Sequence, residues 1–391
     1  EREIKTSPKP VMTEEEWKKF NLNNYAIRNA EEAQKIFDQL KNQNDFIISE
    51  ITKKKTKRNP PVPFITSTLQ AEASKALRLK AKQTMGIAQK LYEGVELGKE
   101  GSVGLITYMR TDSTRLNADI VSDARDFIKN QFGESYLPPS GNLYEKKKGS
   151  NVQDAHEAIR PTSLSYPPEF VKPFLDNNSF KLYQLIWQRF IASQMAPAQL
   201  ETTVVEISEN GFLFKAYGTA VLFDGFTKLY IEEAEPQKED EKEEARNEKI
   251  PAGLEKNQEL KLQQLTETQH FTKPLPRFSE STLIKELESK GIGRPSTFSQ
   301  IVSTIVDRNY AELRERKIFP THLGMKINEI LTLNFPNIFE VGFTARMEAE
   351  LDQIASGEND YLQVLQDFYE PFDSTLKKVE GKVEKIICEK C

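Results

Sequence analysis

Gly104-Leu105-Ile106-Thr107-Tyr108-Met109-Arg110-Thr111-Asp112-Ser113 reads as an apolar run that delivers a tyrosine, an arginine and several small polar groups to one place. If Val103 to Thr107 is extended, side chains alternate between faces, so Tyr108 and Arg110 emerge on the same side. A phenol, with an ordinary pKa of about 10, is a poor nucleophile at neutral pH, and a fixed positive charge alongside favours the phenolate. A guanidinium also matches the oxygens of a phosphodiester. A half-buried strand tyrosine beside a surface arginine would present the same two residues, so the pair alone leaves both readings open.

Upstream, Asn59-Pro60-Pro61-Val62-Pro63 can continue neither a sheet ladder nor a helix and marks a boundary or hinge. Ser67-Thr68-Leu69-Gln70 has the form of a capping box, with Ser67 as N-cap and Gln70 reaching back. Leu69, Ala73, Ala76 and Leu77 keep helical spacing, and Met85, Ala88, Leu91 and Tyr92 predict a second helix that stops before Gly94. Downstream, Asn117 is placed to cap a helix bearing Ile120, Val121, Ala124, Phe127 and Ile128, which Gly133 ends. Tyr108 thus falls on a compact α/β segment resembling a helix-turn-helix with a wing.

A second constellation is Asp154-Ala155-His156-Glu157-Ala158-Ile159-Arg160-Pro161-Thr162. Asp154 with Glu157 has capping-box form and Pro161 forbids continuation, so a single helical turn is predicted, with His156 and Arg160 on one face. An imidazole exchanges a proton near neutral pH, and a guanidinium stays charged. A short capped helix with a surface histidine is the plain alternative.

Outside this segment the pattern turns to strands. Phe46 to Ile51 leads into the basic run Lys53-Lys54-Lys55-Thr56-Lys57-Arg58; Thr203 to Ile207 alternates, Glu209-Asn210-Gly211 has hairpin chemistry, Phe212-Leu213-Phe214 returns, and Glu259 to Leu262 alternates again. These strands predict one antiparallel region split by the Tyr108 segment. Near the end, Ser279 caps a helix with Leu283, Ile284 and Leu287; Gly291-Ile292-Gly293-Arg294-Pro295-Ser296-Thr297 follows, then the apolar stripe Phe298, Ile301, Val302, Ile305 and Val306. A short charged hairpin at Leu313 to Phe319 and a helix opened by Thr321 complete a winged arrangement, with Arg294, Ser296 and Thr297 where a helix N-terminus meets a phosphate.

With 391 residues the chain has room for several cores, and a net charge of -5 gives no bulk signal of nucleic acid. The distribution says more, because basic residues gather at 53–58 and at Lys75, Arg78, Lys80 and Lys82, while 232–248 is acidic. The only cysteines, Cys388 and Cys391, argue for a reducing compartment and make half of a tetrahedral zinc site. No signal peptide or membrane-length apolar run occurs, and a start at Glu1 with an end at Cys391 is what a piece of a longer, cytosolic protein would show.

The run from Ile106 to Thr114 closely resembles the active-site signature of the type IA DNA topoisomerases. The resemblance extends through Pro63-Phe64-Ile65-Thr66-Ser67-Thr68-Leu69-Gln70, Asp154 to Thr162 and Gly291 to Thr297, in the family's order. The terminal Cys-x-x-Cys resembles the start of the zinc-ribbon tail typical of the bacterial topoisomerase I branch. The resemblance implies a multidomain α+β chain, a fragment of a toroidal core with an antiparallel β arch, an inserted winged-helix-like (CAP-like) tyrosine domain and a mostly helical DNA-binding domain. The implied spans are 1–58 and 193–275 for the arch, 59–192 for the tyrosine-bearing gate, 276–380 for the DNA-binding domain and 381–391 for the start of the tail.

It implies Tyr108 as nucleophile, forming a 5′-phosphotyrosyl bond in one DNA strand through which a second strand passes. Arg110 and His156 would assist it. Thr111, Asp112, Ser113, Arg160, Arg294, Ser296 and Thr297 would hold single-stranded DNA. Magnesium would belong to a Toprim domain upstream of this chain and zinc to the tail that includes Cys388 and Cys391. Among Asp123/Asp126, Glu239-Asp240-Glu241 and Glu348/Glu350 no set follows an apolar strand as a magnesium site would require, so the chain alone is expected to hold no cofactor and to be incompetent in cleavage. A monomer working on DNA in the bacterial nucleoid, away from membranes, is expected. The alternative is a winged-helix DNA-binding module without chemistry.

Overall fold

The computed structural model describes residues 27–380 apart from 28, 44, 145–155, 233–249, 252, 270 and 272–273. Asp154 and Ala155, most of the acidic segment, and Cys388 and Cys391 lie outside the described residues.

In chain order the elements are α1 (Ala30–Leu40), β1 (Phe46–Arg58), α2 (Thr66–Ala76), α3 (Ala81–Glu93), β2 (Val95–Glu96), β3 (Ser102–Val103), α4 (Ala118–Phe132) and α5 (Asn177–Ser193). They continue with β4 (Ala198–Glu209), β5 (Phe212–Phe223), β6 (Glu259–Leu260), α6 (Glu280–Ser289), α7 (Phe298–Asp307), β7 (Ala311–Arg314), β8 (Lys317–Pro320), α8 (His322–Asn334), α9 (Val341–Ser356) and α10 (Tyr361–Val379). The result is a mixed α+β fold in two compact units, residues 1–60 with 196–276 and residues 61–195 with 277–391. Among the described residues no helix is long and apolar enough to cross a membrane.

The first unit is an antiparallel sheet in the order β5-β4-β1-β6. Its two halves come from either side of the Tyr108 segment, as the strand pattern predicts: Ile48 pairs with Ile207 and Arg58 with Ala198. Asn210 (φ 45°) and Gly211 (φ 76°) turn β4 into β5, both in the left-handed region that a tight hairpin of matching twist demands. Ile48 and Val205 are buried, at 0% and 1% exposure. The short β6 meets only Phe46 and Ile47, so from Ser49 to Arg58 the outer edge of β1 carries no strand among the described residues.

The second unit has its core where α2, α3 and α5 meet the Tyr108 segment, with Leu69, Leu91, Leu105, Ile106, Tyr183, Ile186 and Phe190 buried. Asn117 accepts from the Asp119 amide and caps α4, and Ser279 and Thr282 form a reciprocal capping box on α6. One cap differs from expectation. Helix α2 begins at Thr66 rather than after Ser67, because the Thr68 hydroxyl accepts from the Ile65 amide and makes Ile65 the N-cap. Ser67 and Gln70 therefore lie inside the first turns, fully buried.

Residues from Arg277 onward pack directly on the helices before Tyr108: α2 lies against α6 and α3 against α7, with Ala81, Ile284 and Val302 in one apolar cluster. The Glu280 carboxylate accepts from the Ala81 amide at 3.0 Å, and the Arg316 guanidinium donates to the Ser74 and Lys75 carbonyls. An anion thus sits at the start of α3 and a cation at the end of α2, each at the helix end whose dipole favours it.

Candidate active site

The Tyr108 segment is less regular than a strand. Pairing is confined to β3 with β2 and to an isolated bridge between Ile106 and Pro161, yet side chains still alternate through the signature: Met109, Thr111 and Ser113 are buried, Arg110 and Asp112 exposed, Tyr108 in between. Arg110 is exposed, and Tyr108, like Thr107 before it, is half-buried.

Three stretches far apart in sequence are hydrogen bonded into one site. Thr66 donates its hydroxyl to the Met109 carbonyl at 2.7 Å, while its oxygen accepts from the Thr111 amide at 2.9 Å. The Thr107 amide donates to the Arg160 carbonyl (2.9 Å), the Thr107 hydroxyl to the Ala158 carbonyl (2.7 Å), and the Thr162 amide to the Leu105 carbonyl (3.1 Å). The Ile159 amide closes the ring on the Phe64 carbonyl at 2.8 Å.

These bonds correct the helical turn expected at His156 to Arg160. That stretch is extended, bridging Phe64 and Ile106 on its two sides, because its backbone groups are taken by long-range partners. His156 and Arg160 consequently do different things. The His156 ring lies 5.3 Å from the Tyr108 ring, centroid to centroid and tilted by 32°. Arg160 turns to Glu157, which accepts from its Nε at 2.8 Å, and to the Pro161 carbonyl at 2.9 Å.

Thr111 and Ser113 spend their hydroxyl oxygens locally, accepting from the Ser113 and Arg115 amides. Arg110 is exposed and makes no hydrogen bond or ion pair among the described residues, which leaves a guanidinium free two residues from the phenol. Arg294 is not free: Asp352 accepts from it at 2.8 Å and Glu348 lies at 3.4 Å, both on α9. Thr297 bonds back to the Arg294 amide and carbonyl, and Ser296 is exposed.

Three contributions were invisible in the sequence. Arg189 on α5, 5% exposed, donates to the Val62 carbonyl and lies 4.7 Å over the Phe64 ring, holding the irregular segment that leads to Thr66. Ser67 Oγ and both amide atoms of Gln70 are buried with no hydrogen-bond partner among the described residues. Tyr92, read only as a member of an apolar stripe, meets the Tyr108 ring edge-on at 5.3 Å. Among the described residues no three His, Cys, Asp or Glu side chains gather as a metal would need. Asp123 and Asp126 lie along α4, and Glu348 is committed to Arg294.

A split antiparallel sheet, an inserted α/β segment and a tyrosine stitched between two other motifs define one class of protein. The family model described as DNA topoisomerase matches residues 5–366, and the chain belongs to that family. Within it the likeness is to bacterial topoisomerase I. The chain is 43% identical over 369 residues to DNA topoisomerase 1 of Rickettsia felis, covering 94% of this chain and 46% of that protein. It is 42% identical over 339 residues to DNA topoisomerase 1 of Xylella fastidiosa strain Temecula1, covering 86% and 41%. Full-length topoisomerase I from Thermotoga maritima superposes with a TM-score of 0.73 at 35% identity, over 89% of this chain and 54% of that one. The chain thus spans less than half the length of these two curated relatives.

Proposed function

We propose that the protein containing this chain relaxes negatively supercoiled DNA by cutting and resealing one strand, with Tyr108 as nucleophile. The observation that carries this is the convergence of Phe64 to Thr66, Leu105 to Thr111 and Ala158 to Thr162 on one partly exposed tyrosine near an exposed arginine. The phenol oxygen bonds to phosphorus as the bond from phosphorus to the 3′ oxygen breaks, leaving a 5′-phosphotyrosyl ester and a free 3′-hydroxyl. A second strand passes, and the hydroxyl reverses the step. The ester conserves the phosphodiester's energy, so no energy cofactor is consumed.

In this reading Arg110 meets the negative charge that grows on the phosphoryl oxygens, and His156, its ring against the nucleophile's, takes part in the movement of the phenol proton. Exposed Asp112 and Ser296, with Arg160, Arg294, Thr297, Thr111 and Ser113 behind them, form the single-strand path. Arg160 and Arg294 must exchange their carboxylates for phosphates to join it. Magnesium and zinc are assigned to parts of the protein other than the described residues, which offer no donor set for either, and no step above runs through them. A monomer in the bacterial cytoplasm suits this activity.

The test joins the chain to the rest of its protein and follows plasmid relaxation with single-strand adduct formation. Tyr108→Phe is expected to abolish both while leaving oligonucleotide affinity unchanged. An adduct that survives in Tyr108→Phe overturns the assignment, and binding without any adduct in the unaltered protein favours a winged-helix binding module. The 391-residue chain by itself is expected to form no adduct with magnesium present.

A further inference from the structure

Among the described residues the Tyr108 ring has two aromatic neighbours, His156 and Tyr92. Only His156 belongs to the motifs on which the proposed reaction draws. Tyr92 lies in the last turn of α3, and its ring meets that of Tyr108 at 5.3 Å between centroids and 66° between planes, an edge-to-face pair. With 41% of its surface exposed, it is not a core residue that merely happens to lie nearby.

The backbone holds this pair in register. The Leu105 amide donates to the Leu91 carbonyl at 2.7 Å, one residue before Tyr92 and three before Tyr108. Val95 pairs with Val103 and Glu96 with Ser102, closing the loop between the two tyrosines. At Gly104 the approach is so close that a Cβ would fall 2.7 Å from the Tyr92 carbonyl oxygen. The end of α3 and the approach to Tyr108 therefore move as one piece, and the Tyr92 ring blocks one side of the space into which the Tyr108 ring could rotate. His156 limits another.

We propose that Tyr92 is a positioning residue, whose ring edge keeps the Tyr108 phenol in the orientation from which it attacks. It acts through its ring, not its hydroxyl. The proposal rests on Tyr108 being the nucleophile. An edge-to-face pair of this kind is worth up to about a tenfold change in the population of the held rotamer.

The test uses the full-length protein at saturating single-stranded oligonucleotide and reads the single-turnover rate of adduct formation. Affinity is measured separately in the Tyr108→Phe background. Tyr92→Leu is expected to slow the adduct step severalfold, up to about tenfold, with Kd unchanged, and Tyr92→Phe to restore the rate. A rate in Tyr92→Leu equal to that of the unaltered protein overturns the proposal. So does a loss confined to Kd, which would make Tyr92 a stacking platform for a base, or a Tyr92→Phe variant as slow as Tyr92→Leu. A readout apart from the reaction comes from tyrosine-labelled NMR of the 391-residue chain. The Tyr108 ring signals are expected to shift in Tyr92→Leu, where the His156 ring remains as neighbour, and to stay near their original positions in Tyr92→Phe; unchanged signals in Tyr92→Leu count against the proposal. An adduct persisting in Tyr108→Phe would instead remove the nucleophile assignment on which it stands.

Discussion

At the scale of single residues, the bonds that hold the site all have a backbone group as a partner, and several of them meet at Thr66. Its hydroxyl serves the Met109 and Thr111 carbonyls and the Thr111 amide, all buried. Thr66→Val keeps the shape and removes the partner, so a loss of about 1–3 kcal/mol is expected in urea unfolding, with the adduct rate falling further than stability alone explains. What the sequence shows at this scale follows from locality. The outward placing of Arg110 between buried Met109 and Thr111 needs only the alternation of an extended chain. The partnership of Arg294 with Glu348 and Asp352 joins residues more than fifty positions apart, and nothing in the Gly-Arg-Pro run foretells it. Tyr92 was legible as helical but not as a neighbour of Tyr108, since the loop that folds them together pairs only two residues on each side.

At the scale of elements, the helix caps show the same boundary. Asn117, Ser279 and Thr321 all cap where their spacing predicts, because a cap is a contact across two or three residues. The reading of Ser67 as a cap failed by two positions, since the Thr68 hydroxyl accepts from the Ile65 amide and the helix starts there. The helical turn at His156 failed because long-range bonds to Phe64, Leu105 and Thr107 outweigh a local capping pattern. Asp176 makes one such cap at the start of α5. It accepts from the Asn178 and Ser179 amides and the Ser179 hydroxyl at the start of α5, and these bonds, the hydroxyl's first, hold its carboxyl below the usual range. A depressed pKa means stability present above the unfolded value of 3.8 and lost as pH falls through the folded one. Asp176→Ala is expected to cost about 1 kcal/mol at neutral pH and to make the thermal midpoint less sensitive to acid below that value.

At the scale of the whole molecule, the alkaline limit of stability is set by tyrosines that stay neutral. Burial pushes the Tyr144 phenol up to about 12, its hydroxyl donating to the Ser193 carbonyl at 2.7 Å. Burial likewise drives Tyr183 upward. For groups raised in this way stability is complete below the unfolded value near 10 and drains as pH climbs through the folded one, because the unfolded chain sheds protons the fold retains. Tyr144 alone accounts for roughly 2 kcal/mol by pH 12, so urea midpoints should drop steeply between pH 10 and 12 and less steeply in Tyr144→Phe. The split sheet of the first unit was legible from its alternating runs and its Asn210-Gly211 turn, whereas the packing of α2 and α3 on α6 and α7 was not, being carried by Glu280, Arg316 and one small apolar cluster. The open edge of β1 has a consequence for how this molecule behaves in a crowd. From Ser49 onward its backbone meets no strand among the described residues, and Lys53, Lys54, Lys55, Lys57 and Arg58 stand along that edge, all exposed. Two such edges approaching each other bring like charges together, so the lysines keep one molecule's ladder from being extended by another's. Neutral glutamines in their place should turn a well-behaved solute into one that associates through its sheets as concentration rises, which light scattering at low salt would register.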